Sequence, residues 1–239
     1  MESTRGSDLA ALADGGRMLA HSPGAALAML VAGTLLAGVG PLLQRWTGRS
    51  DDPSYLILGM VGMLPWELYF LPRFLAGVDA RERNHPSNPA AEGRARFEAR
   101  WLRTLLAKAG LNLAVGLGLI ALVLPGLLVL FSFGWAPLRV LLRGETIGVA
   151  MRGSLAMMRQ AWRRAMLMVC AAFLVALIAI LGLSAAAAAL HPGSGPLPLG
   201  SPFRWILEAL SMSVNLWLSA TLLAAFHRLE DYGDSSPSK

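Results

Sequence analysis

Apolar residues run through this chain in long blocks separated by short arginine-rich stretches, a pattern that predicts a bundle of membrane-crossing helices. Crossing a bilayer takes about 20 apolar residues. The blocks predict spans at 25–44, 54–76, 104–124, 127–142, 165–190 and 203–228. Read as one helix, the stretch 104–142 would reach about 58 Å, nearly twice a hydrocarbon core of about 30 Å. It is therefore expected to turn back, and Pro125-Gly126 marks the place. Charge supports the turn. The polar stretches 77–103 and 139–164 each carry six arginines, and the positive-inside rule puts both on the cytoplasmic side. An even number of crossings must then lie between them.

The stretch 191–202, HPGSGPLPLGSP, carries no charge and reads as an external turn. The expected fold is thus all-α, a polytopic membrane protein with six transmembrane helices. Residues 1–24 form a cytoplasmic, surface-lying N-terminal segment. Residues 25–228 form a single transmembrane domain, and 229–239 a cytoplasmic polar tail.

Between the fourth and fifth spans the pattern changes to that of an interfacial amphipathic helix. Ile147, Met151, Leu155, Met158 and Trp162 recur at helical spacing, and Arg152, Arg159 and Arg163 fall mainly on the opposite face. With Arg164 beside them, these arginines are candidates for contact with lipid phosphates or a partner.

Composition agrees with the membrane reading. The chain is 55% hydrophobic and 15% charged, against about 25% charge in soluble domains. Its mean hydropathy is +0.52. The net charge of +6 would suggest nucleic acid in a soluble protein. Here the basic residues sit between apolar blocks, so they set topology and meet anionic lipid head groups. Arginine outnumbers lysine heavily, only Lys108 and Lys239 being lysines, as in a GC-rich bacterium. The expected location is the bacterial inner membrane, with both termini cytoplasmic. The single cysteine, Cys170, lies in an apolar block and can form no intrachain disulfide.

Glu67 is the foremost chemical candidate, because a carboxylate inside a span costs about 2.5–3.5 kcal/mol on insertion scales. It should find a partner, and Asn112 and Asn215 are the polar residues expected to join it in a proton or cation site. Gly110, Ala114 and Gly118 form a small-residue stripe suited to close helix contact. The four histidines have no metal-ligand spacing, and no nucleophile, phosphate-loop or paired-carboxylate motif appears. No cofactor or metal is expected. The reading that follows is a non-enzymatic scaffold or accessory factor, acting through lipid or membrane-protein contacts. The alternative is a small transporter or channel-like module built on Glu67.

One block also carries a resemblance. Leu124-Pro125-Gly126, then a second apolar helix, Glu145, and the segment from Ala150 to Ser154 resemble the YciC-like bacterial membrane proteins. They resemble equally the related membrane domain attached to some glycerophosphodiester phosphodiesterases. Met151 stands where that pattern usually has Leu, and no phosphodiesterase domain is present. The resemblance implies a six-span helical domain in the inner membrane and supplies no reaction.

Overall fold

The structure, a computed structural model, describes residues 3–38, 63–84, 88–121, 123–190 and 202–235, and their ordered elements are all helical. Helix α1 spans Ser3–Ala20 and α2 Pro23–Ala37. A π-helical turn, Trp66–Phe70, continues into α3, Leu71–Asn84. Then come α4 (Pro89–Ala121), α5 (Val123–Phe133), α6 (Ala136–Arg143), α7 (Ile147–Leu190) and α8 (Pro202–Ser235).

Helix α8 is the centre of the bundle and packs against α1, α2 and α7. Its segment from Ala220 to Phe226 is buried on nearly every side, as expected of a helix apolar all round. Alanines and glycines allow the close approach. A Cβ on Gly15 of α1 would overlap the backbone of Thr221, and one on Gly33 of α2 would press on the Trp66 ring. Helix α1 lies at 93° to α2. It is no free surface segment, because Ala11 and Met18 are buried in the core. Helix α8 continues to Ser235, so the first part of the expected polar tail is helical.

A reversal in 104–142 is present, but the helix break falls between Ala121 and Val123, and Pro125-Gly126, where it was expected, lies inside the next helix. Helix α4 ends at Ala121 and α5 starts at Val123, which places Pro125 in the first turn, where its missing N–H is harmless. Helices α5 and α6 then run back along α4, until Arg100 of α4 reaches the carbonyls of Leu141 and Leu142.

The expectation of six spans is not met. Among the described residues, two helical stretches, 147–186 in α7 and 203–231 in α8, are long and apolar enough to cross a membrane. The bent pair α1–α2 makes a third if it counts as one span. Parts of the first two predicted spans fall in 39–62, outside the described residues. The predicted fourth span is broken into helices of 11 and 8 residues, about 16 and 12 Å long. Gly134 ends α5, since a side chain there would sit 2.5 Å from the Leu130 carbonyl oxygen. Pro137 then opens α6 at a position where proline is favoured.

The predicted interfacial helix and fifth span lie end to end in α7, whose 44 residues are two helices meeting at a kink, with non-helical Ala161 (φ −128°, ψ 29°) at the junction. The buried face is formed by Ala150, Ser154, Met157, Met158 and Ala161, whereas Met151 and Trp162 of the predicted apolar face are exposed. Small residues win the protein-facing side because α6 and α8 come close.

Candidate functional site

Two groups of polar residues stand out, one within the apolar part of the bundle and one at its arginine-rich end. The first begins with Pro72, which has no N–H to give. The Leu71 N–H bonds to the Trp66 carbonyl, the wider spacing of a π turn. The Glu67 carbonyl would then need the amide of residue 72, and proline cannot supply it. Lys108 of α4 fills the gap. Its Nζ donates to the Glu67 carbonyl at 2.8 Å and to Glu67 Oε2 at 2.5 Å. One ammonium thus caps an orphan carbonyl and neutralises a carboxylate, which removes most of the cost of both in an apolar setting.

The partners expected for Glu67 are elsewhere. Asn112 lies one turn beyond Lys108 and is exposed. Asn215 is half-buried on α8, its carbonyl accepting from Ser219. Among the described residues, Glu67, Asn112 and Asn215 do not form one site. The small-residue stripe likewise meets no neighbouring helix at Gly110. The close glycine contact is instead Gly77 on α3 against Gly93 on α4.

The second group centres on Asp79, which is 1% exposed. It sits on α3 beyond the predicted span, in a stretch that reads as solvated loop. Arg96 Nη1 donates to its Oδ2 at 3.1 Å, and His227 Nε2 donates to its Oδ1 at 2.8 Å. Arg83 Nε lies 3.5 Å from Oδ1. A buried carboxylate is tolerable only with such partners. From here the network spreads. Glu230 bridges Arg83 and Arg143, and that pairing holds the Arg143 guanidinium's pKa above its usual value. Asp14 of α1 accepts from Arg228 of α8, Nε at 3.0 Å.

Arg100 does a different task. Gly144, in the left-handed region at φ 71°, closes α6, and Arg100 donates to the Leu141 and Leu142 carbonyls at 2.7 and 2.9 Å. It is a side-chain cap on a helix C-terminus. Burial, then repulsion from Arg96, pull its pKa below the usual arginine range.

Glu145, Gly153 and Ser154 fall into one structural knot. Glu145 accepts a two-pronged bond from Arg139 at 2.9 and 2.6 Å. Gly153 leaves room for the Arg139 guanidinium, and Ser154 Oγ donates to the Ser132 carbonyl at 2.9 Å. Together they pin α6 and the start of α7 to the end of α5.

The predicted contact arginines divide. Arg152, Arg159 and Arg163 are exposed and have no carboxylate partner among the described residues; Arg163 lies 5.6 Å from the Trp162 ring centroid. Arg164 is half-buried and engaged within the molecule. Neither Lys108 nor Asp79 was singled out from the sequence. The signal for Lys108 was there, in the one lysine inside an apolar block. Asp79 gave only the i,i+4 spacing to Arg83, because its other partners, Arg96 and His227, come from other helices.

No family model, no curated protein and no solved structure matches this chain.

Proposed function

We propose that this chain is a multi-pass protein of the bacterial inner membrane that acts as a non-enzymatic scaffold or accessory factor. It crosses the bilayer more than once with both termini cytoplasmic, and its basic cytoplasmic face engages anionic head groups or a membrane-protein partner. The observation that carries the reading is the contrast among its arginines. Arg83, Arg96, Arg139, Arg143 and Arg228 are held by Asp79, Glu92, Glu145, Glu230 and Asp14. Arg152, Arg159 and Arg163 are left exposed beside Met151 and Trp162, a pairing of cation and apolar surface suited to the head-group region. The YciC-like resemblance agrees with an inner-membrane place.

The experiment is affinity purification in mild detergent of the native chain and of Arg152→Gln/Arg159→Gln/Arg163→Gln. A stoichiometric partner or an enriched anionic lipid should accompany the native chain and be lost with the triple variant at unchanged thermal stability. Equal recovery from both sinks the proposal.

A second reading, a transporter-like module, draws on the π turn with its Glu67–Lys108 pair, because such turns often occur at functional sites. Under that reading Glu67→Gln abolishes solute or proton flux in proteoliposomes while leaving the fold intact. Under the scaffold reading the same variant changes nothing that the partner senses.

A further inference from the structure

Helices α2, α3 and the start of α4 enclose a groove of about 490 Å³ near the arginine-rich end. Among the described residues its lining contains Arg73 and Arg81 and no Asp or Glu, with Met29, Phe70 and Phe74 forming an apolar wall. These two arginines differ from most others at this end. Arg73 donates to the Tyr69 hydroxyl at 3.2 Å and lies 5.9 Å from that ring's centroid; Arg81 donates to Ser22 Oγ at 3.4 Å. Neither has a carboxylate partner among the described residues. Glu82, next to Arg81, is taken by His21 at 2.8 Å.

The same groove receives the start of α2. Ser22 occupies the N-cap position, but its side chain makes no capping bond. The first-turn amides of Gly24 and Ala25 therefore lack a side-chain acceptor, and both residues line the groove. Two unneutralised guanidiniums and an uncapped helix N-terminus converge beside an apolar wall. Guanidinium groups and first-turn amides both suit phosphate oxygens, and the aromatic wall suits hydrocarbon.

We propose that this groove binds one anionic glycerophospholipid. Its phosphodiester lies at Arg73, Arg81 and the Gly24–Ala25 amides, and an acyl chain lies along Met29, Phe70 and Phe74. The site rests on the membrane placement argued above and is separate from the exposed arginines of α7.

The test uses the full chain purified in mild detergent, with mass spectrometry of retained lipid and thermal unfolding. Phosphatidylglycerol, phosphatidylcholine and inorganic phosphate are the added probes. Phosphatidylglycerol should be retained at about one per chain and raise the Tm, with the other two inactive. Arg73→Gln/Arg81→Gln should weaken it by about tenfold or more, since two charge-assisted contacts are lost. Gly77→Leu should do the same by filling the groove, because a Cβ at Gly77 meets only the Pro89 carbonyl oxygen, at 3.8 Å. If the double variant does not fold, Gly77→Leu decides.

The proposal is overturned by an equal shift with inorganic phosphate, by native-like retention in a folded groove variant, or by loss only when Arg152, Arg159 and Arg163 are neutralised. Failure of the scaffold reading shows up separately, as equal recovery of partner and lipid with Arg152→Gln/Arg159→Gln/Arg163→Gln while the groove keeps its one lipid.

Discussion

Asp79 and Glu67 are both carboxylates matched by cationic side chains, for Asp79 from its own helix and two others and for Glu67 from α4. Asp79 has three cationic or donor neighbours, Arg83, Arg96 and His227, and is almost wholly buried. Removing it strands those groups in a dry site, which for a broken buried pair costs about 3–5 kcal/mol. Asp79→Ala should therefore lower the unfolding midpoint steeply in a thermal melt in detergent, and a native-like midpoint would refute the central role given to it. Glu67 is more exposed, and interhelical polar contacts in membranes are worth about 0.6 kcal/mol on average and at most about 1.7. Glu67→Gln and Lys108→Met should each destabilise within that range. The double variant should lose less than the sum, since each single change strands the other partner; strictly additive losses would show that the two groups do not act together. Glu67 was legible in the sequence because a lone acid in an apolar block needs a partner. Its partner was assigned by depth to Asn112, one turn away from Lys108. The π turn decides between them, because it aims both the carbonyl and the carboxylate of Glu67 at the lysine.

Among the helices, contact is made where side chains are missing. Gly93 of α4 faces the backbone of Gly77 so closely that a Cβ would overlap it. The obstacle is main chain, so no rotamer change can relieve it. Gly93→Ala should push α3 from α4 and cost about 1–3 kcal/mol, the usual price of overpacking. Gly110→Ala on the same helix meets open space and should be neutral or slightly stabilising through helix propensity. Comparing their melts separates packing from propensity; equal effects would place the contact elsewhere. Periodicity alone could not rank these glycines, because glycines at helical spacing look alike until a neighbouring helix is positioned. The same limit explains α7. Its Ala150, Ser154 and Ala161, which nothing in the pattern marks, form the protein side with Met157 and Met158, while Met151 and Trp162, read from the sequence as the bilayer-facing side, are exposed. The reversal after α4 was legible, because length and charge both demanded it. The break at Gly134 was less so, because an apolar run with one glycine also fits a continuous helix.

At the scale of the whole chain, the paired charges gather at one end. Asp14 meets Arg228, His21 meets Glu82, Arg100 meets the end of α6, and Asp79 meets His227. Residues near both ends of the chain are therefore neighbours, whatever the number of crossings between them. Large apolar side chains, by contrast, lie bare along α7, among them Phe173, Leu174, Leu177, Ile178 and Leu181. Such a surface matches hydrocarbon, and in water it would be an aggregation site. These two facts make a topology test that needs no functional assay. Single cysteines placed at Ser7 and Ser235, in a chain with Cys170→Ala, should react alike with a membrane-impermeant maleimide. They should be blocked in intact spheroplasts and labelled after lysis. In the native chain Cys170, exposed on the apolar helix α7, should resist the same reagent until detergent removes the lipid. Labelling of one terminus but not the other in spheroplasts would break the Asp14–Arg228 contact on which the common end depends. Labelling of Cys170 without detergent would place α7 outside the bilayer and remove the membrane reading with it.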